Sequence, residues 1–202
     1  MNKIKLIIFD LDGVLIESKK LHEIAFREAL ILNQIDIPYN HAIYEGLPTL
    51  EKLERLGIPL DRHQAIFDAK QSATLSNLEK GIIYNKDIVN IFKSLKIRNI
   101  KLAIGSNAIR RFVDATTKLI GINSYIDLSL SNEDITKCKP DPEIYTRIVQ
   151  YFNIDTKETL IFEDSRVGLT AAYASGCRVG YIHDPSYLTY NKINNLLETY
   201  SC

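Results

Sequence analysis

Near its start the chain carries a nearly unbroken apolar run, Ile4, Leu6, Ile7, Ile8 and Phe9, that stops abruptly at Asp10-Leu11-Asp12-Gly13. A run this apolar and β-branched fits a strand buried on both faces, the condition of strands in parallel sheets. A half-exposed strand would alternate, and this one does not. Two acids at the end of such a strand do nothing for stability by themselves, because carboxylates that close raise each other's pKa. The pair therefore implies a cation at the strand's carboxyl end.

Further apolar runs follow the same pattern. Residues 100–107, IKLAIGSN, end in a small polar pair, and residues 159–165, TLIFEDS, end in two acids. Residues 177–184, CRVGYIHD, are a third strand candidate, and residues 124–131 a weaker one. Helical stripes lie between them. Ile88, Ile91, Phe92 and Leu95 recur at i, i+3, i+4 and i+7. Ile109, Phe112, Val113 and Leu119 or Ile120 do likewise, with Gly121 placed to end that helix. A third helix opens with Asp141 as N-cap and Pro142 at its first position. Strands alternating with helices predict an α/β, doubly wound parallel (Rossmann-like) sheet.

Residues 18–81 break the alternation. They carry helical stripes only: Leu21, Ile24, Ala25 and Ala29; Leu50, Leu53 and Leu56, ended by Gly57; Ile66, Ala69 and Ala73. This predicts a core domain of residues 1–17 and 82–202 and an inserted α-helical cap domain of residues 18–81. Sites in open α/β sheets lie at strand carboxyl ends, so an insertion directly after Asp12 is placed to act as a lid.

Composition excludes several classes. Of 202 residues, 25 are Lys or Arg and 25 Asp or Glu, so no net field draws the chain to nucleic acid or a membrane surface. No apolar run is long enough to span a bilayer, and no signal peptide precedes the first strand. Cys138, Cys177 and Cys202 form no CxxC pair, which argues against a disulfide framework or zinc site and for a reducing, cytoplasmic setting. A monomer fits these features. No Walker A or GxGxxG pattern offers a nucleotide site.

Taken singly, each polar candidate has a structural explanation. Asp10 and Asp12 can shape a turn with Gly13, Ser106 and Asn107 can cap a helix, Lys139 can be a solvated loop lysine, and Glu163 and Asp164 can be acids favoured by a helix dipole. Together they fall at strand ends or just after one, and in a parallel sheet those ends converge on one edge. The converged set is two or three carboxylates, a hydroxyl with an amide, and one ammonium. The carboxylates supply hard oxygen ligands suited to Mg²⁺. Ser106, its neighbouring N–H groups and Lys139 can bind phosphoryl oxygens, while an aspartate attacks phosphorus.

With "DLDGVL", "SN", the lysine of "KPDP", and "EDS" followed by "VG" in that order, the chain resembles the haloacid dehalogenase-like superfamily of phosphatases and phosphomutases over essentially its whole length. The resemblance implies that Asp10 is the nucleophile and Asp12 the acid and base. It implies that Asp10, the Asp12 main-chain carbonyl and Asp164 hold Mg²⁺, with Glu163 an adjacent ligand or orienter. Ser106, Asn107 and Lys139 would grip the phosphoryl group of a small phosphate ester, such as a sugar phosphate or phosphoglycolate. Gly13 would allow a tight turn beneath the phosphate, and Gly168 close helix packing.

Three other readings compete. Dehalogenases of the same superfamily use the first aspartate without a metal, which Asp12 and the Glu163–Asp164 pair argue against. A β-phosphoglucomutase-like enzyme would carry a cap arginine for a second phosphate; Thr49 falls at that place, with Lys52 and Arg55 as the nearest cations and His22 at a position where such enzymes carry a histidine. A phosphate- or metal-sensing module without activity is the third, although every catalytic position is filled.

Overall fold

The computed structural model of the protein describes residues 3–40, 43–44 and 47–200. In chain order the regular elements are β1 (Leu6–Phe9), α1 (Lys19–Leu32), α2 (Thr49–Arg55), α3 (Leu60–Ser76), α4 (Leu78–Gly81), α5 (Ile88–Ile97), β2 (Lys101–Gly105), α6 (Arg110–Leu119), β3 (Leu128–Leu130), α7 (Glu143–Phe152), β4 (Thr159–Glu163), α8 (Arg166–Ala174), β5 (Arg178–Tyr181) and α9 (Tyr190–Thr199). The chain divides into two compact units, Met1–Glu17 with Ile83–Cys202, and Ser18–Ile82.

The first unit is a five-stranded, all-parallel sheet in the order β3-β2-β1-β4-β5 with helices between the strands. β1 is central, and all four of its residues are buried, as its unbroken apolar run requires. Phe9 pairs with Ile104 of β2 on one side and Phe162 of β4 on the other, so Asp10, Gly105 and Glu163 leave the sheet at one level. From β1 the chain builds outward through β2 and β3, then crosses back to β4 and β5. That reversal beside β1 is the topological switch point at which open α/β sheets place their ligands.

The helical stripes bury as their periodicity demands. α5 buries Ile88, Ile91, Phe92 and Leu95. α6 buries Phe112 and Val113 and ends before Gly121, whose φ is +77°. The weaker strand signal over residues 124–131 shrinks to the three residues of β3 at the sheet's edge. At the start of α7 the expected capping is shifted by one residue. Pro142 itself occupies the N-cap position, its carbonyl accepting from the N–H groups of Tyr145 and Thr146, while the Asp141 carboxylate accepts from the N–H of Glu143 at 3.0 Å. Proline has no N–H to be capped, so the acid serves the first free donor beyond it.

The second unit contains no strand among its described residues. Its core joins Phe26 and Leu30 of α1 to Tyr39, to Leu53 of α2, to Ile58 before α3, and to Ile66 of α3. Two stripes differ from the sequence expectation. Ile24 of α1 is 41% exposed, and Phe26 and Leu30 take the buried positions. On α3 the buried face is His63, Ile66, Lys70 and Thr74, with Ala69 and Ala73 only half-buried. Polar side chains can occupy that face because their groups are partnered: the His63 Nε2 lies 2.8 Å from the Ile58 carbonyl, and the Thr74 hydroxyl donates to the Lys70 carbonyl. No helix among the described residues is long and apolar enough to cross a membrane.

Candidate active site

Asp10 follows β1 directly and is buried, its N–H donating to the Phe162 carbonyl at 3.0 Å. Beyond it the chain turns tightly: the N–H groups of Leu15 and Ile16 donate to the Leu11 carbonyl, and that of Gly13 to Ile16. Gly13 sits at φ +86°, and a Cβ there would lie 2.0 Å from Oδ2 of Asp164. Only glycine satisfies both conditions, the left-handed backbone and a carboxylate packed against its α-carbon. Asp12, on the same turn, is half-buried.

Lys139 is the hub of the site. Its ammonium is almost fully buried and donates to three acceptors: Oδ1 of Asp10 at 2.6 Å, Oε1 of Glu163 at 2.7 Å and the Gly105 carbonyl at 2.8 Å. An ammonium has three donors, so all are used. Burial alone would lower its pKa, and the charges of Asp10 and Glu163 more than offset that, holding it at about 12. The backbone of the same residue is bracketed by Asn107, whose Oδ1 accepts from the Lys139 N–H at 3.1 Å and whose Nδ2 donates to the Lys139 carbonyl at 3.4 Å. Buried Ser106 donates its N–H to Leu130 and accepts, on Oγ, from the Ala108 N–H at 3.1 Å. The side chain expected to grip a phosphoryl group alongside Ser106 thus holds the lysine's main chain.

Glu163 ends β4 with no solvent exposure. Its Oε1 accepts from Lys139 and from the hydroxyl of Tyr145 at 2.6 Å. Its Oε2 faces the start of α8 and accepts from the N–H groups of Asp164 at 3.1 Å and Ser165 at 3.4 Å, and from the Ser165 hydroxyl at 3.3 Å. Ser165 Oγ in turn caps α8 through the Gly168 N–H. Such saturation is what a fully buried carboxylate needs.

Carboxylate oxygens of Asp10, Glu163 and Asp164 all lie within 4.8 Å of one another. Burial pushes Asp10 well above its ordinary range, and the charges of Glu163, Asp164 and Asp12 add to the push, while Lys139 alone acts against it. Carboxylates packed this closely repel one another, and a cation among Asp10, Glu163 and Asp164 would relieve that repulsion. The donors are hard oxygens, and an all-oxygen set of this kind fits a divalent cation such as Mg²⁺. The Asp12 carboxylate is not part of that three-residue cluster.

Tyr145 is the functional neighbour that sequence reasoning missed. It lies on the buried stripe of α7, where a ring reads as core, and its ring is 4.8 Å from the Lys139 Nζ. Burial and the charges of Glu163 and Asp10 raise its pKa, so it stays a hydrogen-bond donor. The usable signal was a hydroxyl at an otherwise apolar stripe position, since a buried tyrosine needs a partner for its O–H. In the helical unit, His22 Nδ1 lies 3.2 Å from Lys70 Nζ, Lys52 is buried with its ammonium 6.0 Å from the Phe26 ring, and Arg55 is exposed and paired with Glu51 at 2.6 Å. Thr49 opens α2. Cys138 and Cys177 are free thiols, and Cys202 lies outside the described residues.

Comparison with known proteins agrees with this geometry. Residues 7–182 match the sequence model of the haloacid dehalogenase-like hydrolases. A phosphorylated carbohydrates phosphatase of Thermotoga maritima is 26% identical over 188 residues, covering 88% of this chain and 85% of the relative. Among solved structures, CbbY of Rhodobacter sphaeroides in complex with phosphate superposes with a TM-score of 0.80 at 23% identity, covering 88% of this chain and 85% of its own. β-Phosphoglucomutase of Clostridium difficile superposes with a TM-score of 0.78 at 20% identity, covering 98% and 99%. At these identities the two structures establish the shared fold.

Proposed function

This chain belongs to the haloacid dehalogenase-like hydrolases, and we propose that it is a Mg²⁺-dependent phosphatase that hydrolyses a small phosphorylated metabolite through an aspartyl-phosphate. The observation that carries the proposal is the Lys139 ammonium, held 2.6 Å from Asp10 at the sheet's switch point and surrounded by carboxylates. A lysine and a metal site flanking one aspartate neutralise what otherwise forbids the reaction, the approach of an anionic nucleophile to an anionic phosphate.

In this reading an Asp10 oxygen attacks phosphorus and the ester P–O bond breaks, while Asp12 donates a proton to the departing oxygen. Water then attacks the phosphorus of the aspartyl-phosphate. Asp12, now a carboxylate, takes the water's proton, and inorganic phosphate leaves with Asp10 restored. Lys139 acts on the phosphoryl oxygens through its charge, and the Ser106 hydroxyl and the Asn107 N–H bind them. Asp10, the Asp12 main-chain carbonyl and Asp164 would hold Mg²⁺, with Glu163 beside them, and the ion would supply positive charge to the transferring phosphoryl group. The helical unit serves as the cap that reads the remainder of the substrate, a sugar phosphate or an acid of phosphoglycolate size. The thermotogal relative, named as a phosphatase of phosphorylated carbohydrates, supports that size class.

The test is phosphate release from a panel of phosphomonoesters with and without Mg²⁺. Turnover that vanishes in EDTA and returns with Mg²⁺ is expected. Undiminished turnover in chelator would overturn the metal assignment, and no turnover on any ester would overturn the reaction.

A further inference from the structure

Building on the phosphatase reading, we infer that Tyr145 is a positioning residue: its hydroxyl, donated to Glu163, sets how the Lys139 ammonium is divided between Glu163 and Asp10. The ammonium is shared by two buried carboxylates at 2.7 and 2.6 Å. A cation held this way moves toward whichever carboxylate has the less neutralised charge. Among the described residues two groups donate to Oε1 of Glu163, Lys139 and Tyr145, and the tyrosine's bond is the shorter at 2.6 Å. By taking part of that oxygen's charge, Tyr145 leaves the ammonium close to the nucleophile, where the phosphoryl oxygens arrive.

Packing does not explain the hydroxyl. The ring belongs to the core cluster with Leu6, Ile8, Ile144, Ile148 and Ile161, and phenylalanine would fill that place as well. An O–H group with no solvent exposure costs stability unless bonded, and its partner is the carboxylate that Lys139 shares. Gly105 closes the arrangement. Its carbonyl takes the third ammonium proton, and a Cβ there would press on the Tyr145 ring at 3.3 Å.

Tyr145→Phe keeps the ring and removes only the hydroxyl. With p-nitrophenyl phosphate and saturating Mg²⁺, kcat is expected to fall about tenfold while KM changes less than about twofold, the signature of transition-state misplacement. In a Glu163→Gln background the same substitution should cost nothing further, because the residue acts through Glu163. A crystal structure of Tyr145→Phe should show the ammonium moved away from Asp10 toward Glu163. Unchanged kcat, full additivity with Glu163→Gln, or an ammonium still bonded to Asp10 would each overturn the inference. A wild-type protein inactive on every ester would instead sink the phosphatase reading, and the position of Lys139 in the variant crystal would still decide this one.

Discussion

The α-carbon of Gly168, in the first turn of α8, lies directly under the carboxyl group of Glu163: a Cβ at that position would stand 1.9 Å from Oε1 and 2.1 Å from Oε2. The carboxylate occupies the volume a side chain would need, and it is there because the N–H groups of Asp164 and Ser165, between β4 and α8, hold it. Gly168→Ala must therefore displace either the helix or Glu163, and with Glu163 the ammonium of Lys139. Overpacking of this kind costs about 1–3 kcal/mol, and activity should fall by about two orders of magnitude because a misplacement of ~1 Å is enough. Thermal unfolding and kcat together check this; a destabilised Gly168→Ala protein with unchanged kcat would mean that α8 gives way and Glu163 keeps its place.

Asp10→Asn separates chemistry from folding. The amide keeps the shape and cannot attack phosphorus, so turnover should drop by about four orders of magnitude or more. Stability should move the other way. The charged carboxylate sits buried among Glu163, Asp164 and Asp12, and its neutral isostere removes that repulsion while still accepting from Lys139. In EDTA the variant's thermal midpoint should match or exceed that of the wild type. A strongly lowered midpoint would show the Asp10–Lys139 pair to be a structural bridge first.

The middle of the sheet is legible in sequence because β1, β4 and nearly all of β2 are buried on both faces, and nothing but an apolar run can satisfy that; the edge strands β3 and β5, only partly buried, give weaker signals. Asp10, Lys139, Glu163 and Asp164, which the structure brings together, are legible as a set because each terminates or follows a strand run. What could not be read was the direction of side chains once there. Asn107 is expected to bind the phosphoryl group, and no local pattern reveals that its side-chain amide also brackets the Lys139 peptide, 32 residues away. Glu163 gave no sign that it collects five hydrogen bonds, nor Gly168 that its missing side chain makes room for them. On α3 the periodicity pointed to alanines, and polar residues with satisfied groups took the buried face instead.

Stability should depend on pH and on Mg²⁺ jointly. Asp10 has a folded pKa well above its unfolded value of about 3.9. Its contribution is therefore fully present below about pH 4 and is lost as pH rises through the raised folded value. Lys139, held at about 12, is charged in both states across the neutral range and adds no slope there; its own contribution is lost only as pH climbs through about 12. In EDTA the thermal midpoint should thus decline as pH rises above about 4, relative to a sample in millimolar Mg²⁺. A cation that binds the ionised carboxylates stabilises the folded state by mass action, so the Mg²⁺-induced rise should widen with pH. Differential scanning calorimetry at several pH values reads this directly, and a rise of constant size across the range would contradict it.

Water, and not a second sugar hydroxyl, should be the final phosphoryl acceptor. A mutase returns the phosphoryl group from the aspartyl-phosphate to a reoriented sugar, so its cap must grip a second phosphate while keeping water out. Gripping a dianion in one orientation calls for a bidentate cation, which arginine supplies better than any other side chain. Thr49, at the start of α2, has one hydroxyl and no charge. Arg55, the nearest arginine, points to solvent and is already paired with Glu51 at 2.6 Å, and Lys52 is buried with its ammonium near the Phe26 ring. Glucose 1-phosphates should therefore yield inorganic phosphate or nothing, with no dependence on a bisphosphate activator. The assay follows phosphate release beside isomer formation, with and without the matching bisphosphate. Isomerisation that requires the bisphosphate and outruns phosphate release would reverse the assignment, and Lys52→Ala and Arg55→Ala would then identify which cation leaves its present partner to take the second phosphate.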